Sequence, residues 1–154
     1  MRETAVAGAR TAVLVAVAGV VAVATGSPFL FPSLGPSAYA LVTTPNSPAT
    51  DPRRVVGSHA IGVAAGWLSY HLLAAGIVVT DLPPAGSPAL TLLMASGVLA
   101  VGLTTAGMVA TDLRHAPACA TTLIVGLGLL PTLREGVIVV GAVSLLVVVD
   151  RLVP

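Results

Sequence analysis

The chain has 154 residues, of which 13 carry a formal charge: seven Arg, no Lys, and six Asp or Glu. Hydrophobic residues make up 56% and aromatic residues only 3%, with a mean hydropathy of +1.01, which excludes an ordinary water-soluble domain. A net charge of +1 with no basic patch excludes a nucleic-acid partner.

The charges are clustered. Residues 11–50, 55–80, 82–111, 115–133 and 136–149 contain no Asp, Glu, Lys or Arg, and a membrane-crossing helix needs about 20 apolar residues. The apolar runs are continuous rather than alternating, which argues against a β-barrel. The single Cys119 excludes an intrachain disulfide. Met1–Gly26 combines basic residues, an apolar run and small residues, but the apolar run is long for a signal peptide and favours an uncleaved first helix.

In chain order, the first predicted span is Thr11–Thr25. Three prolines follow in Ser27–Pro36, at positions 28, 32 and 36, and they prevent a regular helix there. The segment is nonetheless apolar, so irregular backbone at membrane depth is expected, shielded by protein or lining a cavity. Pro36 is expected to open a short helix, Ser37–Thr44. Pro45–Arg54 is a polar, turn-rich loop. The next span is Val55–Thr80, stopped by Asp81 and two prolines, and another follows at Pro88–Ala110. Asp112–Pro117 interrupts, Ala118–Leu130 resumes, and a turn at Arg134-Glu135 precedes the last span, Gly136–Val149.

An offset of 81 residues overlays these features, with Pro36-Ser37-Ala38 falling on Pro117-Ala118-Cys119 and Arg53 on Arg134. A repeated order of long span, irregular segment, short helix, charged turn and long span points to two internal repeats. Broken helices in such repeats are typical of secondary transporters. If the short segments also cross, the chain makes six passes. Six Arg then lie inside and Arg134 alone outside, as the positive-inside rule prefers over a four-pass arrangement.

Helices that begin inside a membrane offer unpaired N–H groups to an anion, here near Ser37–Tyr39 and Ala118–Ala120. Asp112, Arg114 and His115 are candidates for function, since charge at membrane depth is costly. His115 is the candidate proton carrier because imidazole titrates near neutrality. His59 and His71 are expected to share a broad face of one helix at a spacing unsuited to a metal pair. Arg53 and Arg54 are placed to attract anions to a pore mouth. No hydrolase triad, phosphate loop or zinc motif is present, and the glycines at 62, 66, 97, 102 and 107 favour close helix packing.

Two stretches resemble the HPP family of membrane proteins. The first is Phe31-Pro32-Ser33-Leu34-Gly35-Pro36-Ser37-Ala38, followed by Pro45-Asn46-Ser47-Pro48-Ala49-Thr50-Asp51-Pro52-Arg53 and Gly57-Ser58-His59. The second, His115-Ala116-Pro117-Ala118-Cys119-Ala120-Thr121, is similar to the His-Pro-Pro signature, with Ala116 in place of its middle Pro. Thr50 replaces an Ala of the loop motif. His115, Pro117, Ser47, Pro48, Pro52, Arg53 and His59 match. The resemblance implies a membrane domain, described for the family as four helices, with some members implicated in nitrite transport.

The resulting expectation is an all-α polytopic membrane bundle forming one domain over residues 1–154, with repeats at about 10–80 and 88–153. It is expected in the cell membrane as a homo-oligomer, without cofactor, metal or enzymatic activity. The expected function is a transporter or channel for a small monovalent, nitrite-like anion, bound at the short-helix N-termini near mid-membrane. Ser33, Pro36, Ser37, Ser47, Arg53, His59, Arg114, His115, Pro117 and Cys119 are its candidate binding residues. A non-conducting accessory or sensor module is the alternative.

Overall fold

The computed structural model describes residues 2–152 and is all-helical, with six α-helices and one short 3-10 turn among those residues. They are α1 (Arg2–Thr25), α2 (Leu34–Thr43), the 3-10 turn (Pro48–Thr50), α3 (Pro52–Leu73), α4 (Pro88–Ala110), α5 (Ala118–Gly126) and α6 (Leu133–Leu152). At 1.5 Å per residue, α1, α3, α4 and α6 extend about 30–36 Å, whereas α2 and α5 reach only about 14–15 Å. By length and composition, α1 and α4 qualify as membrane-crossing helices.

Local chemistry sets the ends, and several differ from the sequence expectation. The first helix starts at Arg2 rather than Thr11, and α2 starts at Leu34 rather than Ser37. Pro36 is therefore the third residue of α2, where its missing N–H costs nothing because the first turn has no intrahelical acceptors. Asp51 caps α3, its carboxylate accepting from Arg53 N at 3.0 Å, so Arg53 and Arg54 sit in the first helical turn and not in a loop. That helix stops at Leu73, well short of Thr80. Gly76 turns the chain at φ 85°, and its N–H donates to the Tyr70 hydroxyl at 3.0 Å. The bounds of α4 are those expected, with Ser87 accepting from Leu90 N and Pro88 at the first position.

The fifth helix ends at Gly126 rather than Leu130. Gly128 follows at φ 81°, so close to Ile77 O that a Cβ there would lie 2.6 Å away. The last helix begins at Leu133 because Thr132 and Glu135 form a capping box. Glu135 Oε2 accepts from Thr132 N at 2.9 Å, and Thr132 Oγ1 accepts from Glu135 N at 3.2 Å. Arg134 and Glu135 are thus helical, and α6 continues beyond Val149 to Leu152.

The third helix packs against α4, α5 and α6, while α2 packs against α1 and α6; α1 also meets α6, and α4 meets α5. Exchanging α1 with α4, α2 with α5 and α3 with α6 maps every one of these pairs onto another of them or onto itself. The main apolar core joins Leu14 and Ala18 of α1, Leu34 and Leu41 of α2, Val55 of α3 and Val139, Val143 and Leu146 of α6.

The ends of the elements sort onto two sides. Val42, near the end of α2, lies with Arg2, Glu3 and Arg10 at the start of α1, and Arg10 pairs with Asp150 near the end of α6. Residues 26–43 therefore run back along the whole of α1. On the opposite side, Gly26 and Pro28 lie with Thr132 and Arg134 at the start of α6. The segment from His115 to Leu127 also runs between the sides. His115 bonds to Ala49 in the loop before α3, and Leu127 O accepts from Val79 N beyond its far end.

Candidate functional site

The non-helical stretch before α2 and the connection between α4 and α5 bring Ser33, Ser37, His59, His115 and Thr121 together. Each is buried to 1% exposure or less in a bundle whose buried side chains are mostly Val, Leu and Ala. Burying five polar side chains there is favourable only if their hydrogen bonds are made internally. Ser37 Oγ lies 3.0 Å from His59 Nε2 and 3.2 Å from His115 Nε2. Thr121 Oγ1 lies 2.7 Å from His59 Nδ1 and 2.6 Å from Ser33 Oγ. His115 Nδ1 donates to the Ala49 carbonyl at 2.8 Å. The two imidazole centroids are 5.5 Å apart.

Donor–acceptor logic orders the cluster. A carbonyl only accepts, so the hydrogen of neutral His115 is on Nδ1 and its Nε2 accepts from the Ser37 hydroxyl. Ser37 Oγ then accepts from His59 Nε2–H, His59 Nδ1 accepts from Thr121, and Thr121 accepts from Ser33. Each ring holds one tautomer, fixed by its partner. No carboxylate takes part in these bonds.

The polar line continues toward the other side. Thr122 donates to Ala118 O and pairs with Thr104 Oγ1 at 2.8 Å; Ser96 donates to Gly126 O at 2.7 Å. Farther along α3, Ser69 is fully buried and its hydroxyl has no partner. Glycines make room for this line. A Cβ at Gly62 would lie 2.7 Å from Thr122 Oγ1, and one at Gly66 would lie 2.8 Å from Thr122 O.

The sequence-predicted residues divide between the cluster and its surroundings. Ser33, Ser37, His59 and His115 converge, and Pro36, Pro117 and Cys119 flank them on exposed or half-buried positions. Ser47 caps the 3-10 turn, accepting from Ala49 N at 3.2 Å, and so positions the carbonyl that His115 uses. Arg53 is exposed at the start of α3. Arg114 is exposed and lies 3.6 Å from Asp112, which also pairs with Arg54. His71 does not share a face with His59. It is exposed and rests against Trp67, with ring centroids 4.4 Å apart.

The backbone groups proposed as an anion cradle have local partners. Ala118, Cys119 and Ala120 N–H donate to the carbonyls of His115, Ala116 and Pro117, and Ser37 N–H donates to Ser33 O. The donors left to a ligand are accordingly side chains. Thr121 was missed as a member of the cluster, and Thr122, Thr104 and Ser96 as buried hydroxyls beyond it, although hydroxyls spaced along otherwise apolar helices were a signal in the sequence.

Apolar helices of membrane length, closed around an internally bonded polar cluster, define a helical membrane protein. The chain belongs to the HPP family: the family model described as the HPP transmembrane region matches residues 1–152. No curated protein and no solved structure matches it.

Proposed function

We propose that the protein is a transporter or channel for a small monovalent anion of nitrite-like size, working as a homo-oligomer in the cell membrane. One observation carries this reading: a buried cluster of two imidazoles and three hydroxyls that includes no carboxylate. The cluster is neutral as it stands and gains one positive charge when an imidazole is protonated. The complement of that charge is a single negative charge, and hydroxyl and N–H donors suit a small oxyanion. The site is near the α2 and α5 N-termini, where helix dipoles favour the same sign. Arg53 and Arg114 at the adjoining surface raise the local anion concentration.

A six-pass, inverted-repeat topology fits this function. It is supported by the matched packing of the two halves and by the return of α2 to the starting side of α1. The cluster then lies about 10 Å in from the charged end of α3, counting from Pro52 to His59, nearer that face than mid-membrane.

An enzyme is the weaker alternative, although Ser37 does meet an imidazole. The third group behind His115 is a carbonyl rather than a carboxylate, and the N–H groups nearby are already engaged. A non-conducting accessory or sensor module is the second reading, favoured by the direct packing of the cluster's side chains on one another. Conduction requires these bonds to open.

Purified protein in liposomes separates the readings. Flux of nitrite and similar monovalent anions above protein-free vesicles, with little sulfate or phosphate flux, is the expected result. Correctly assembled protein that passes no anion would overturn the transport reading.

A further inference from the structure

Ser37 Oγ has three partners within 3.2 Å: His59 Nε2 at 3.0 Å, the Ser33 carbonyl at 3.1 Å and His115 Nε2 at 3.2 Å. A hydroxyl has one hydrogen to give. In the neutral cluster that hydrogen goes to His115 Nε2, and the Ser33 carbonyl goes without it. We propose that Ser37 is the switch of a site that binds a single excess proton, held on His115. This deepens the transport reading, because it names what accompanies the anion.

The bonding changes as follows when one proton reaches His115 Nε2. Both rings now donate from Nε2 to the two lone pairs of Ser37 Oγ, and the hydroxyl hydrogen turns to Ser33 O. All six contacts of the cluster are then hydrogen bonds, against five in the neutral state. Nothing else moves, and only the proton is gained. A second proton has one place left, His59 Nδ1, which accepts from Thr121. Filling it reverses that bond and the Thr121–Ser33 bond behind it, and sets two like charges in rings 5.5 Å apart. The capacity is one.

The charged groups of the neighbouring elements do not supply a counter-charge within this bond set. On α3 and its cap they are Asp51, Arg53 and Arg54, and in the α4–α5 connection they are Asp112 and Arg114. Arg54 and Asp112 pair with each other. On α1 and α6, which pack on α2, Arg10 and Asp150 pair at 3.6 Å. The same elements also carry Arg2 and Glu3 on α1, Tyr39 on α2, Tyr70 and the exposed His71 on α3, Cys119 on α5, and Arg134, Glu135 and Arg151 on α6, none of which bonds to the cluster. A buried proton without a partner charge is costly, so its uptake is expected to be linked to that of a monovalent anion.

The test is nitrogen NMR of full-length, histidine-labelled protein in lipid bilayers, carrying His71→Gln to remove the exposed ring. At alkaline pH, His59 should hold its hydrogen on Nε2 and His115 on Nδ1. On acidification one imidazolium per chain should form, on His115, and at a less acidic pH in sodium nitrite than in sodium sulfate. Ser37→Ala should abolish the preference for His115. The same tautomer on both rings, two imidazoliums forming together, none forming before the protein unfolds, or a titration indifferent to the anion would each overturn the proposal. The measurement needs no flux. Absent transport with the expected tautomers removes the transport reading alone, and transport with the wrong tautomers removes only the proton site.

Discussion

Thr121 completes the cluster with one hydroxyl that accepts from Ser33 and donates to His59 Nδ1. Thr121→Val keeps the shape and leaves two buried polar groups without partners, a loss of about 1–3 kcal/mol. Thermal unfolding in detergent should show a clear drop for Thr121→Val and a much smaller one for Thr121→Ser. Equal stability of the valine variant and the parent would mean that the hydroxyl bonds are not made. At this scale the sequence was informative about the imidazoles and the Ser33 and Ser37 hydroxyls, but not about Thr121. The resemblance marked His115 and His59, and both are buried in the site. His71 lies 12 residues from His59, three and a third turns, and the third of a turn left over is enough to put one ring inside and the other outside. Thr121 stands among small and apolar residues with nothing local to say which face meets a neighbour. Only the approach of the segment before α2, more than 80 residues earlier in the chain, makes it a site residue.

The helix ends show which signals act locally and which do not. Pro88–Ala110 was legible because Ser87 and Pro88 start it and the polar Thr111-Asp112 closes it. The ends of α3 and α5 were not, because apolar residues continue past Leu73 and past Gly126, and the chain leaves the helix at glycines of positive φ. Short α5 against long α3 is held at glycine contacts. A Cβ on Gly62 would sit 2.9 Å from Ala118 O, and one on Gly66 would sit 2.8 Å from Thr122 O and 3.2 Å from Gly126 N. Backbone atoms on a packed helix cannot retreat cheaply, so Gly66→Ala should destabilise by about 1–3 kcal/mol. Gly102 on α4 meets nothing within 4 Å. Gly102→Ala should therefore be neutral or gain up to about 1 kcal/mol from helix propensity. Melting temperatures of the two variants in one detergent test this directly, and equal losses would show that the α3–α5 approach is looser than described.

At the scale of the molecule, the two halves match in helix pairing but not in the side chains at matched positions. The 81-residue offset sets Val140 against His59, Ala40 against Thr121 and Ala118 against Ser37. The helices α3, α4 and α5 carry most of the buried polar side chains, joined by Ser33 and Ser37 at the start of α2, while Leu14, Val139, Val143 and Leu146 fill the contact of α1 with α6. The proposed repeat thus rests on matched helix pairs, spacing and prolines rather than on identities. The arrangement makes a strong statement about sidedness. Arg2 and Arg10 lie with the end of α2; Arg53 and Arg54 follow from that end, and Arg54 pairs with Asp112 beside Arg114. Arg151 follows Asp150, the partner of Arg10, whereas Arg134 lies with Gly26 at the other side. Six of seven Arg thus share one side, the side that the proposed six-pass arrangement places in the cytoplasm. Cysteines introduced singly at Asp51 and Glu135, in a Cys119→Ala background, should react with a membrane-impermeant maleimide from opposite faces of intact cells and inverted vesicles. Asp51 should be reached from the cytoplasmic face and Glu135 from the outside. Reaction of both from one face would mean that α2 and α5 dip and return, restoring four passes and removing the inverted repeat on which the transport reading leans.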